Sequence, residues 1–157
     1  MLIESKSNQG ILYNSVGING ASYKSILKQN LLPNQIAELN PDLVIIDLGA
    51  NDFYKQKICS EEIEKDILKI IDIIRKYSPN SNILISNSQD IYRRRYNIKD
   101  CCVFSDVTKK VAMDNKCAFY DWYNISGSRY SMLKWYKNKL AKTDKVHLTN
   151  NGYAIKG

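Results

Sequence analysis

The chain has 157 residues, 44% of them hydrophobic, with a net charge of +7 and a single histidine. That is enough apolar material for one core in one domain, residues 1–157. No stretch reaches the roughly 20 apolar residues of a membrane-spanning helix, and Met1-Leu2-Ile3-Glu4-Ser5-Lys6 lacks the apolar centre of a signal peptide. The positive charge favours anionic partners, whether nucleic acid, acidic glycan or a membrane surface. Cys59, Cys101, Cys102 and Cys117 form no CxxC pair and have one histidine as co-ligand, which argues against zinc. Their even number leaves a disulfide open.

In chain order, Ile11 to Val16 reads as a first strand. Pro33 then opens a brief helix that stops before Pro41. Leu43 to Leu48 and Ile83 to Ser86 are apolar runs with little polar alternation, as expected for strands covered on both faces. Between them, Ser60 is placed to cap a helix with Glu61 and Glu62 in its first turn and Ile63, Ile67, Ile70, Ile71 and Ile74 along one face, ended by Pro79 and Asn80. Arg93-Arg94-Arg95, between Tyr92 and Tyr96, reads as a solvated loop after a strand. A helix through Val103, Val107 and Val111 follows, on which Cys101 and Cys102 read as small buried hydrophobes. Ala118 to Trp122 is the fourth strand, and Ser131 is placed to cap a short helix through Leu133, Trp135 and Tyr136. Apolar strands alternating with helical periods indicate an α/β layer fold with a mainly parallel sheet.

Ligand crevices in such sheets lie beyond the carboxyl ends of the strands, so the loops there carry the chemistry. One is Gly17-Ile18-Asn19-Gly20-Ala21-Ser22 and another is Gly49-Ala50-Asn51-Asp52. A third, Asp144-Lys145-Val146-His147, precedes a Gly152-Tyr153 turn. Glycine permits a turn that aims a backbone N–H at an oxyanion, and an asparagine amide adds a second donor. A histidine accepts a proton from a hydroxyl nucleophile while a carboxylate on its other nitrogen fixes the tautomer.

In this order and these strand contexts the motifs resemble the SGNH or GDSL hydrolase superfamily. The resemblance implies a three-layer α/β/α sandwich of flavodoxin-like build, with Gly20 and Asn51 in the oxyanion hole and Asp144 and His147 as two members of a Ser-His-Asp triad. It implies no metal and no cofactor. Ala118-Phe119-Tyr120-Asp121-Trp122, Ser131-Met132-Leu133-Lys134-Trp135 and the Asn19-Gly20-Ala21 block resemble the branch of bacterial peptidoglycan and polysaccharide O-acetylesterases. On that basis the substrate is an acetylated glycan or peptidoglycan and the parent protein is periplasmic or at the cell surface. The aromatics themselves read as core packing.

The family's Gly-Asp-Ser block does not occur in these 157 residues. Ser5 and Ser7 lie in the wrong setting, and neither Ser22 nor Cys59 sits in a nucleophile elbow. The expectation is a domain shortened at its N-terminus and at its C-terminus, whose serine belongs to a missing N-terminal segment and which is nearly inactive alone. The alternative is a non-catalytic glycan-binding or assembly module that keeps the crevice. Nucleic acid ranks behind both, since no nucleic-acid motif accompanies the basic cluster.

Overall fold

The computed structural model describes residues 10–55 and 57–157. Its centre is a parallel three-stranded sheet in the order β1 (Leu43–Asp47), β2 (Asn82–Ser86), β5 (Ala118–Tyr120). The register pairs Ile46 with Ile85 and Ile85 with Phe119, so Val44, Ile46, Ile83, Ile85 and Phe119 share one face. Ile46, Ile83 and Ile85 on that face are buried in the main core. It is completed by α4 (Ser60–Tyr77), which buries Ile63, Ile67, Ile70, Ile71 and Ile74, and by α5 (Asp100–Asp114). Each fully buried isoleucine contributes about 1.5–3 kcal/mol, so this stripe anchors the layer.

The opposite sheet face carries Leu43, Ile45, Asp47 and Tyr120; Leu43 and Ile45 are 48% and 54% exposed there, so β1, at the edge of the sheet, is not covered on both faces as its apolar run implied. Here α8 (Asn150–Lys156) is pinned by its last residue, because Lys156 Nζ pairs with Asp47 at 2.7 Å and the Tyr120 hydroxyl donates to the Lys156 carbonyl at 2.8 Å. Helices therefore flank both faces, giving the three-layer α/β/α arrangement. Two short helices, α1 (Tyr23–Ile26) and α2 (Leu32–Leu39), lead into β1, with Pro33 in the first turn of α2. After β2 a two-stranded antiparallel hairpin, β3 (Tyr92–Arg93) and β4 (Tyr96–Asn97), stands apart from the main sheet. No helix among the described residues is long and apolar enough to cross a membrane.

Several local expectations need correction. Ile11 to Val16 is not a strand: Ile11 is 97% exposed and the segment forms no ladder, because β propensity cannot supply the neighbouring strand that backbone groups require. Ser60 and Ser131 are the first residues of their helices; the caps are Cys59 and Tyr130, neither making a side-chain capping bond. The buried face of α5 runs through Phe104, Thr108 and Val111, with Val103 and Val107 only half-buried. Arg93 to Arg95 belongs to the β3–β4 hairpin, with Arg94 at positive φ in its turn. Gly152-Tyr153 is not a turn but part of α8, where a side chain at position 152 would collide with the Leu140 carbonyl.

Candidate active site

The candidate residues lie on three segments, two of which are joined directly by a hydrogen bond. Immediately after β1, Gly49 turns the chain at φ +134° into α3 (Ala50–Phe53). A Cβ at position 49 would lie 2.3 Å from the Phe104 ring, so only glycine lets α3 sit this close to α5. The turn fixes Asn51, whose Nδ2 donates to the Ala21 carbonyl at 2.8 Å. That bond uses one amide proton and leaves the second available to a ligand. It also ties down the adjacent Gly20, which sits at φ +81° in a turn closed by the Ala21 N–H on the Ile18 carbonyl. Gly20 and Asn51 are thus brought together, both exposed on the same surface.

Asp52 locks this arrangement from beneath. Its Oδ1 accepts the Tyr23 N–H at 3.0 Å, joining α1 to α3, and its Oδ2 is buried with no hydrogen-bond partner among the described residues. Burial pushes the Asp52 carboxyl up to about 7, against the Tyr23 N–H, which pulls it down. Asp66 reinforces the rise.

The third segment carries Asp144 and His147. A bridge between Ala141 and Leu148 closes a tight loop, reinforced by the Lys142 N–H on the His147 carbonyl at 2.8 Å. Within it, Asp144 Oδ1 accepts the backbone N–H groups of Val146 and His147 at 2.9 and 3.0 Å, while Oδ2 lies 2.8 Å from His147 Nδ1. Partial burial raises the Asp144 carboxyl, but the bonds from the His147 ring and the two backbone N–H groups outweigh it and hold the acid below its usual range. An ionised Asp144 selects the tautomer protonated on Nδ1, which leaves Nε2 as the proton acceptor. The side chain of His147 is 57% exposed, and Nε2 has no hydrogen-bond partner among the described residues.

A buried polar run that starts at the last residue of β2, Ser86-Asn87-Ser88-Gln89-Asp90, ties the His147 loop to the Trp122 segment. Gln89 Nε2 donates to the Val146 carbonyl at 2.8 Å, while Gln89 Oε1 accepts the Trp122 indole N–H at 3.2 Å. Trp122 is itself buried, edge-on to Trp135. The aromatic segment is therefore core, as its composition implied, yet it steadies the His147 loop through Gln89. The sequence reading passed over Gln89; its signal was a run of polar residues from Ser86 to Asp90 closing an apolar strand. The β3 backbone adds a second tie, with the Tyr92 N–H on the Lys145 carbonyl at 3.0 Å.

Neither alternative nucleophile approaches this loop by hydrogen bonding. The Ser22 hydroxyl caps α1 by accepting the Ser25 N–H at 3.2 Å, and the Cys59 thiol donates to Glu61 at 3.2 Å. Ser5 and Ser7 lie outside the described residues. All four cysteines are free, and among the described residues no group of three or more His, Cys, Asp or Glu side chains is arranged to hold a metal ion.

Comparison with known proteins decides the family, because a sequence model of the GDSL-like lipase/acylhydrolase family matches residues 3–155. The chain belongs to that family. A peptidoglycan O-acetylesterase superposes with a TM-score of 0.79 at 25% identity, over 85% of this chain and 40% of that one. An acetyl xylan esterase gives 0.68 at 21% identity, over 90% of this chain and 75% of its own. A lipase/acylhydrolase from Enterococcus faecalis gives 0.68 at 18% identity, over 87% and 67%. This GDSL-family chain therefore spans well under half the length of the peptidoglycan esterase it resembles. No curated protein matches it by sequence.

Proposed function

We propose that these 157 residues supply the acid–base pair and the oxyanion donors of a carbohydrate O-acetylesterase. The observation that carries the reading is the Asp144–His147 pair, whose carboxylate takes two backbone N–H groups on one oxygen and the imidazole Nδ1 on the other. A preorganised carboxylate holding the correct tautomer is what general-base activation of a hydroxyl requires.

In this scheme a serine outside residues 1–157 attacks the acetyl carbonyl while His147 Nε2 takes its proton. Asn51 Nδ2 and the Gly20 N–H receive the developing oxyanion, and His147 returns the proton to the departing sugar hydroxyl. Water activated by the same imidazole then releases acetate and restores the serine. The substrate is an acetylated glycan, with peptidoglycan favoured by the likeness to the peptidoglycan esterase. The parent protein works in the periplasm or at the cell surface.

Without its nucleophile a triad retains only a small residual acceleration from the oxyanion donors and binding. The 157-residue chain alone therefore hydrolyses aryl acetates at close to the buffer rate, and a longer form carrying a Gly-Asp-Ser segment ahead of residue 1 turns over. An inert longer form refutes the esterase reading.

A further inference from the structure

A cavity of about 260 Å³ between the segment after α3, the β3–β4 hairpin and the start of α5 carries Lys55, Lys57, Arg93 and Lys99 in its wall. These cations come from three separate segments: the stretch after α3, the β3–β4 hairpin and the residue capping α5. Arg93 is held in place by donating to the Tyr54 and Lys55 carbonyls, both at 3.2 Å, which fastens the hairpin to the α3 side. None of the four belongs to an ion pair among the described residues. The acid in the cavity wall, Asp100, is engaged by the Ile58 N–H at 3.0 Å. Four cations against one acid leave a surplus positive field that folding does not neutralise. Focused in a concave site, such a field concentrates anions.

Tyr96, also in the wall, is 79% exposed. An aromatic ring left in solvent next to unpaired cations offers a stacking surface for the apolar face of a sugar. The segments that wall the cavity also run into both halves of the candidate site. Lys55 follows Asn51 by four residues, and the hairpin's Tyr92 N–H holds the Lys145 carbonyl inside the Asp144–His147 loop.

We propose that this cavity binds an acidic glycan, setting a carboxylate of the polymer against Lys55, Lys57 and Lys99 and a sugar ring on Tyr96. The choice of a glycan over other polyanions rests on the esterase reading; the binding itself does not need turnover. The test is affinity electrophoresis of the 157-residue chain in gels containing polygalacturonate, neutral hydroxyethyl cellulose or duplex DNA. Lys57→Glu/Lys99→Glu lowers polygalacturonate affinity by about tenfold or more, as expected for charges in direct contact with an anion. Lys76→Glu/Lys116→Glu removes the same charge near the far ends of α4 and α5, about 22 Å away along a 15-residue helix. That control stays within about threefold, as expected for screened charges distant from the contact. Tyr96→Ala weakens binding several-fold at unchanged charge, and melting curves confirm that each variant is folded.

Equal losses in the two double variants would overturn the proposal. So would DNA binding as tight as polygalacturonate binding with no effect of Tyr96→Ala, which would assign the cavity to nucleic acid. Cavity-dependent binding combined with an inert Gly-Asp-Ser-bearing form refutes the hydrolase reading and leaves the glycan site standing; hydrolysis without cavity-dependent binding does the reverse.

Discussion

The Phe104 ring occupies the space that a side chain at Gly49 would need, so a core contact between α5 and the end of β1 sets the path of the loop that carries Asn51. Phe104 is fully buried, with the Phe53 ring 5.4 Å and the Tyr23 ring 6.2 Å from its own. Gly49→Ala therefore costs roughly 2–4 kcal/mol from positive φ and overpacking combined. Phe104→Leu in the same chain recovers part of that loss. Thermal melts of the two single variants and the double variant measure the coupling, and strict additivity would show that the ring does not set the turn.

Asp52 makes stability depend on pH in the direction opposite to most carboxylates. Unfolded, the acid gives up its proton around its ordinary value of 3.8; folded, it keeps it to about 7. The protonated form is favoured by the fold, so the contribution is complete below pH 3.8 and is lost as pH rises toward 7, on the order of 4 kcal/mol. Asp52→Asn keeps the acceptor for the Tyr23 N–H and cannot ionise. Its melting temperature should fall less across that window than the parent chain's, and parallel curves would exclude Asp52 as a titrating group.

Asp144 and Gln89 are expected to act on the same histidine by different means. In a serine-bearing form, Asp144→Asn lowers kcat on the order of 10³–10⁴-fold with little change in KM, because the wrong imidazole tautomer is then favoured. Gln89→Leu, which removes the bond to the Val146 carbonyl, lowers kcat by a smaller factor, about tenfold, through loss of loop positioning. Steady-state kinetics separate the two. A Gln89 variant with altered KM alone would make Gln89 a binding residue and not a positioning one.

Asn51→Ala removes the proposed oxyanion donor and the tether to Ala21 together. The expected loss is on the order of 10²–10³-fold in kcat in the serine-bearing form. Unchanged turnover would move the oxyanion site away from this loop.

Strands Leu43–Asp47 and Asn82–Ser86 and helix Ser60–Tyr77 were legible because each is long, apolar in one period and bounded by clear breakers. The Asp144–His147 pair was legible because a three-residue spacing places both side chains in one tight turn. Ile11 to Val16 misled, since it has strand composition but no strand beside it among the described residues, and a ladder is a property of two segments. The face of α5 was set by Phe104 and Thr108, which pack against residues distant in sequence and leave the valine spacing only half-buried. Buried polar links such as Gln89 to Val146 join residues 57 positions apart and leave no periodic trace. The basic cavity is likewise assembled from three segments, of which only the arginine run stood out as a cluster.

The most direct test of the central account is covalent labelling with an organofluorophosphonate, read by intact mass and peptide mapping. The account predicts no label on the 157-residue chain, and one label on the serine of a Gly-Asp-Ser-bearing form, at a rate that collapses in His147→Ala. Labelling of Ser22 or Cys59 in the short chain, or labelling of the longer form that is indifferent to His147, would contradict it.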